Sequence, residues 1–202
     1  MTNRLSIIYV ITRISRLGVL TLGGVLACTG DATMGPDSGQ LIVNFDVESG
    51  TSGPASWFSG VSDTAATQPF QMEWSTEEAA SGTRSLMIQL DTNSGQEFAY
   101  WSQQIVSGLP SARSVTLRAK VRPVLIGGGA AITIRGDGDD GTLMFHTSEF
   151  DTPIRGDHDW WTVTLSPVVV VPDVKAIHVF LVFLPNTVGR IYFDDITLTY
   201  GE

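Results

Sequence analysis

The 202 residues carry 12 Lys and Arg against 21 Asp and Glu, a formal net charge of −9, with 43% hydrophobic residues and one cysteine. So acidic a chain is a poor partner for nucleic acid, whose phosphates need clustered Lys and Arg, and lacks the polybasic patch that grips anionic lipid. With one cysteine no intramolecular disulfide forms, so a hydrophobic core must hold the fold.

At the start, Arg4, Arg13 and Arg16 stand without an acidic residue, followed by the uncharged run LGVLTLGGVLA over 17–27 and then Cys28. A basic opening, a short apolar segment and a small residue before the cut are the parts of a secretory signal. A spanning helix needs about 20 apolar residues, and Arg13 and Arg16 interrupt any such window. Val25-Leu26-Ala27-Cys28 resembles the lipobox of bacterial lipoproteins. The resemblance implies cleavage after residue 27 and a lipid on the Cys28 thiolate, the one side chain nucleophilic enough for that bond. The expected place is the bacterial cell envelope, exported and lipid-anchored at the outer membrane or the cell surface, with Thr29 after Cys28 resembling the outer-membrane-sorted pattern. Removing 1–27 takes away three arginines and no acid, leaving 9 basic and 21 acidic residues and a net charge of −12. A neutral ligand suits such a surface better than a polyanion. Residues 28–40 are small, polar and turn-rich, and read as a tether; residues 41–202 then make one domain.

In chain order the domain predicts strands at 41–45, 85–90, 98–105, 114–123, 130–135, 160–165, 168–171, 176–184 and 190–200. The clearest is 114–123, where Val115, Leu117, Ala119 and Val121 alternate with Thr116, Arg118, Lys120 and Arg122. One helical turn is expected at 75–80, with Ser75 or Thr76 capping Glu77 and Glu78. So many short strands imply an all-β, two-sheet antiparallel sandwich of jelly-roll type. The run GDGDDG over 136–141 fits a dinucleotide-binding glycine pattern by letter, but its three aspartates repel a pyrophosphate and the residues after it read as strand. A hairpin turn is the better reading. Asp157-His158-Asp159 has no second histidine at ligand spacing. No nucleophile elbow, zinc-protease motif or cysteine nucleophile is present, so catalysis has no motif to support it.

The last predicted strand holds an anomaly. Counting back from Tyr200 in twos gives Leu198, Ile196, Asp194 and Tyr192, so Asp194 falls on the interior face and Asp195 on the other. A buried carboxylate needs a partner: either Arg84, or a Ca²⁺ ion, which takes six to eight oxygen ligands; a solvated edge is the remaining reading. Asn44 and Asp46 near the domain start, and the carbonyls of the turn around Gly82, offer such oxygens.

The order NFD, SGTRSLMIQ, VTLRAKV, AITIRG, AIHVFLVFLP and FDDITL resembles carbohydrate-binding modules of the family 4/9/22 type and the wider galactose-binding-like jelly rolls, over about 41–200. The resemblance implies a structural calcium tying the first strand region to the last, with Asp194, Asn44 or Asp46, and the Gly82 carbonyl as ligands. It also implies a binding face for a poly- or oligosaccharide. Aromatic rings for the C–H faces of sugars and planar polar groups for hydroxyls single out Trp101 with Gln103 on one face of their strand and Tyr100 with Gln104 on the other. Arg118, Arg135, His178 and Phe180 complete the set. The expectation is a non-catalytic glycan-binding lipoprotein. Its rivals are a structural or protein-interaction jelly roll with an envelope partner, and a small glycan lyase or hydrolase.

Overall fold

The computed structural model describes residues 39–62 and 66–200. Cys28 and the tether lie outside the described residues. The described chain is all-β. In chain order its strands are β1 (Gly39–Gln40), β2 (Phe58–Val61), β3 (Gln71–Ser75), β4 (Ser85–Leu90), β5 (Ala99–Ile105), β6 (Ser114–Gly138), β7 (Gly141–Thr147), β8 (Ile154–Asp157), β9 (Trp161–Val169), β10 (Ala176–Phe183) and β11 (Thr187–Tyr200).

One strand builds both layers. The first half of β6 pairs with β11 and β9, giving the order β3-β4-β11-β6-β9; its second half pairs with β10 and β7, giving β2-β5-β10-β6-β7. The strand changes sheet at Gly127-Gly128-Gly129, where Gly127 and Gly129 take φ of +96° and +102°. The turn that leads into β11 lies against this corner: a Cβ on Gly127 would meet the Asn186 carbonyl oxygen at 2.2 Å, and one on Gly128 the Pro185 carbonyl oxygen at 2.0 Å. Only glycine lets the two backbones come this close.

The alternation seen in the sequence places the core between the layers. Val115, Leu117, Ala119 and Val121 of β6 meet Ile177, Val179, Leu181 and Phe183 of β10, Ile191, Phe193, Ile196 and Leu198 of β11, and Ala99, Trp101 and Ile105 of β5 in one buried cluster. Antiparallel sheets packed face to face, each with one inward set of side chains, are the sandwich that the strand pattern implied.

Several local expectations are corrected. Residues 41–45 form a turn rather than a strand: Asn44 adopts φ +53° and its side chain bonds the backbone of Ser49 and Ala55, which no ladder position permits. Residues 76–80 are not helical; Ser75 Oγ accepts the Glu77 N–H in a single local turn. The strands at 58–61, 141–147 and 154–157 lack a clean alternation; the strand at 71–75 is also additional to those expected, although Met72 and Trp74, which pack on the core, alternate there with Gln71, Glu73 and Ser75. The hairpin at 136–141 is present, Gly138 pairing with Gly141 across Asp139 and Asp140.

Candidate functional site

The outer face of the second sheet gathers the unusual side chains. Its register sets Gln104 beside His178 and His178 beside Arg135, and in the next row Ser102 beside Phe180 and Phe180 beside Thr133. A second apolar cluster grows on this face from Phe98, Ala131, Phe180, Val182 and Leu184, with Tyr100 and Phe145 packed against it. Tyr100 stands edge-on to Phe180 at 5.4 Å, and the His178 ring stacks on Phe180 at 6.0 Å. Gly60 on the neighbouring edge strand is why Tyr100 lies as it does: a Cβ there would come within 2.5 Å of the phenol oxygen. Phe58, paired with Ser102, continues the face at its edge and is 68% exposed.

Arg135 is buried, with its guanidinium 5.3 Å from the Phe180 ring centre and 2.8 Å from Asp137. Asp137 Oδ2 also lies 3.3 Å from His178 Nε2. The arginine and aspartate cancel each other's charge. Burial above all, then the positive Arg135, lowers the His178 pKa to about 4, with Asp137 opposing. The imidazole is therefore neutral at neutral pH, and the face as a whole is a neutral surface of rings and planar polar groups.

A depressed histidine leaves a mark on stability. Between pH 6.5 and 4 the unfolded chain binds a proton that the folded chain refuses, so stability falls as pH drops through that window and levels off below it. His178→Gln is expected to remove a loss of up to about 3 kcal/mol across it, read as a smaller fall in the urea midpoint between pH 6.5 and 4.5 than in the wild type.

Five sequence candidates, Tyr100, Gln104, Arg135, His178 and Phe180, thus share one face. The others do not reach it. Trp101 and Gln103 turn inward: the indole N–H donates to the Met87 carbonyl, and the Gln103 amide bonds both backbone groups of Val43, so both are buried and unavailable to a ligand. Arg118 is exposed on the outer face of the other sheet, opposite Thr197 and Thr164. Asp137 and Phe58 were missed. Asp137 hid in a glycine-aspartate run that reads as a turn, and Phe58 in a stretch without periodicity.

Asp194 is fully buried, but for another reason than its parity suggested. A bulge between Asp194 and Thr197 sets Asp195 and Ile196 against one residue of β6, and Asp195 adopts φ +47°. Phe193 and Ile196 both enter the core, whereas Asp194 pairs with Lys120 on the outer side. It is buried there by the 76–84 segment. Its Oδ2 accepts the N–H groups of Ala80 at 2.8 Å and Ser81 at 3.0 Å, and its Oδ1 that of Asp195 at 2.7 Å. Burial raises its pKa, and these amides pull it part of the way back. Arg84 lies elsewhere, over the Trp74 ring at 4.3 Å.

The residues named for calcium do not fit a cage for it. Asn44 spends both amide atoms on its own turn, and Asp46 accepts the Glu48 N–H within its own loop. Gly82 faces a carboxylate that already has partners: Glu48 accepts the N–H groups of Thr83 and Arg84, both at 2.8 Å, and the Thr83 hydroxyl. Burial raises the Glu48 pKa, yet these hydrogen bonds outweigh it and leave the group below the usual value. Among the described residues no three His, Cys, Asp or Glu gather as metal ligands. Asp194 itself is held by three backbone amides.

No family model and no curated protein matches this sequence. Solved structures do match its fold. The CBM22-1 xylan-binding domain from Paenibacillus barcinonensis Xyn10C superposes with a TM-score of 0.52 at 13% identity, over 83% of this chain and 97% of that one. A Stig cyclase, Fisc, from Fischerella sp. TAU gives a TM-score of 0.54 at 15% identity over 82% of this chain and 98% of that one. The enzymatically active domain of bacteriophage CBA120 tailspike protein 4 gives 0.57 at 11% identity, and there this chain, covered over 81% of its length, spans 22% of the matched one. The chain has the jelly-roll fold of these modules, a fold that serves binding modules and enzymes alike.

Proposed function

We propose that this protein is a non-catalytic glycan-binding lipoprotein, exported and held at the cell envelope through Cys28, with the outer face of the second sheet as its saccharide site. The observation that carries this reading is the convergence of the half-buried Tyr100, His178 and Asp137 with the exposed Gln104 on one face, backed from beneath by the buried Phe180 and Arg135. Pyranose rings present C–H faces to aromatic planes and hydroxyl pairs to planar donors and acceptors. Because Arg135 and Asp137 neutralise each other and His178 is uncharged, the face favours a neutral sugar over a polyanion. The fold shared with xylan-binding domains supports the same class of ligand.

Calorimetric titration with xylohexaose, cellohexaose and mannohexaose is expected to show binding to at least one. Tyr100→Ala should weaken it about tenfold or more, the scale of one lost aromatic contact. Absence of heat across the three sugars, with the protein folded by circular dichroism, rejects the reading.

A further inference from the structure

Away from that face, β8 and β9 build a second cleft. Gly156 has φ +79°, and a Cβ on it would lie 3.2 Å from His158 Nε2, so the glycine lets the imidazole fold back over β8. The main chain there is fixed, since the His158 N–H donates to the Pro123 carbonyl at 3.2 Å. The ring meets Trp161 edge-on, 5.4 Å between centres and 80° between planes. Trp161 opens the edge strand β9 opposite Val121 and packs in part against the core. The indole is thus gripped from two sides and remains half-buried, lining an open cleft of about 330 Å³ with His158 and Asp159. That volume falls within the range of small-molecule sites, roughly 300–1,000 Å³.

The other indoles are engaged. Trp57 and Trp101 are enclosed in the core, Trp74 lies under the Arg84 guanidinium, and Trp160 leans on Tyr192. Trp161 instead borders open space, beside an exposed carboxylate and an exposed imidazole. An aromatic plane flanked by an acceptor and a mixed donor and acceptor matches a pyranose ring with vicinal hydroxyls. Among the described residues neither Lys nor Arg lines the cleft, and Asp159 does, which disfavours phosphate, sulfate and uronate ligands.

We infer that the His158–Asp159–Trp161 cleft is a second neutral-saccharide site, on the edge of the first sheet and separate from the face on the second. The ligand class rests on the reading proposed above. Two sites on one domain let a single polysaccharide engage both, so the second contact forms at a high effective concentration and long chains are held better than short ones.

The test follows the indole N–H signals of the full chain by two-dimensional nitrogen–proton NMR during titration with xylohexaose and cellohexaose, with the Trp161 signal assigned through Trp161→Phe. The Trp161 signal is expected to move in the wild type and equally in Tyr100→Ala. Its apparent affinity should fall about tenfold in Asp159→Ala and in His158→Ala, both exposed positions whose replacement leaves the core intact. A static Trp161 signal while Tyr100-dependent binding proceeds overturns this inference and leaves the first site standing. A Trp161 response untouched by both cleft substitutions overturns it as well. Movement of Trp161 with no Tyr100-dependent binding supports the cleft and rejects the first site; no response to either sugar rejects both.

Discussion

Asp194→Ala is expected to destabilise the fold by about 3–5 kcal/mol, a fall of about 10 °C in melting temperature for a domain of this size. The side chain accepts three backbone N–H groups, from Ala80, Ser81 and Asp195, and each is left without its acceptor in a partly buried place at a cost of about 1–2 kcal/mol. The loss also loosens the 76–84 segment, which is otherwise tied through Glu77 to Arg190 and Tyr192, Glu78 to Arg122 and Ser85, and Thr83 and Arg84 to Glu48. Asp194→Asn keeps one carbonyl oxygen for Ala80 and Ser81 but sets an amide donor toward another donor, so its effect should fall between wild type and alanine. Chelation is the companion measurement. Because three backbone amides already satisfy this carboxylate, EDTA is expected to leave the wild-type melting temperature unchanged. A drop of several degrees, reversed by Ca²⁺, would return the metal to the site.

The second large effect is expected at the sheet-changing corner. Gly128→Ala brings a methyl group to 2.0 Å from the Pro185 carbonyl and 2.8 Å from Thr187 Oγ1. The first obstacle is backbone and cannot swing aside. Thr187 is itself committed, accepting the Gly129 N–H at 2.8 Å. Either β6 or the turn into β11 has to move, and both are central to their layers. A loss of about 4 kcal/mol or more follows, the range reserved for substitutions that break a fold's geometry. Gly53→Ala is the control, since a Cβ there meets nothing within 4 Å; its change should stay within about 0.5 kcal/mol. Equal unfolding midpoints for the two variants would refute the account of the corner.

The layered architecture was legible because alternation is a physical consequence of a sheet with one buried face. Residues 114–123 show it directly and lie in a strand, whereas 176–183 is apolar on both faces, as suits a strand buried on both sides. Continuity across the corner was not legible: the three glycines over 127–129 read as a break, whereas they are the hinge within a single strand. The same limit governed Asp194. Its burial could be read from the neighbouring apolar residues, but the count in twos assumed an unbroken ladder, and one extra residue at the bulge reverses it. On β5, alternation correctly divided Tyr100 and Gln104 from Trp101 and Gln103, yet left open which pair faces out. That choice depends on what lies above and below the strand. Trp101 finds the Met87 carbonyl inside the sandwich, a tertiary partner that local pattern does not contain.

The placement of β11 bears on how the molecule is made. Residues 187–200 form the middle of the first sheet, between β4 and β6, and they also receive β1. A chain emerging from the ribosome therefore has strands for the flanks long before it has the piece that joins them. Until those late residues arrive, β4 and the first half of β6 expose apolar faces and unpaired edges, which invite aggregation. The sandwich closes only once residues 187–200 have been made, so the strands before them must stay open until then.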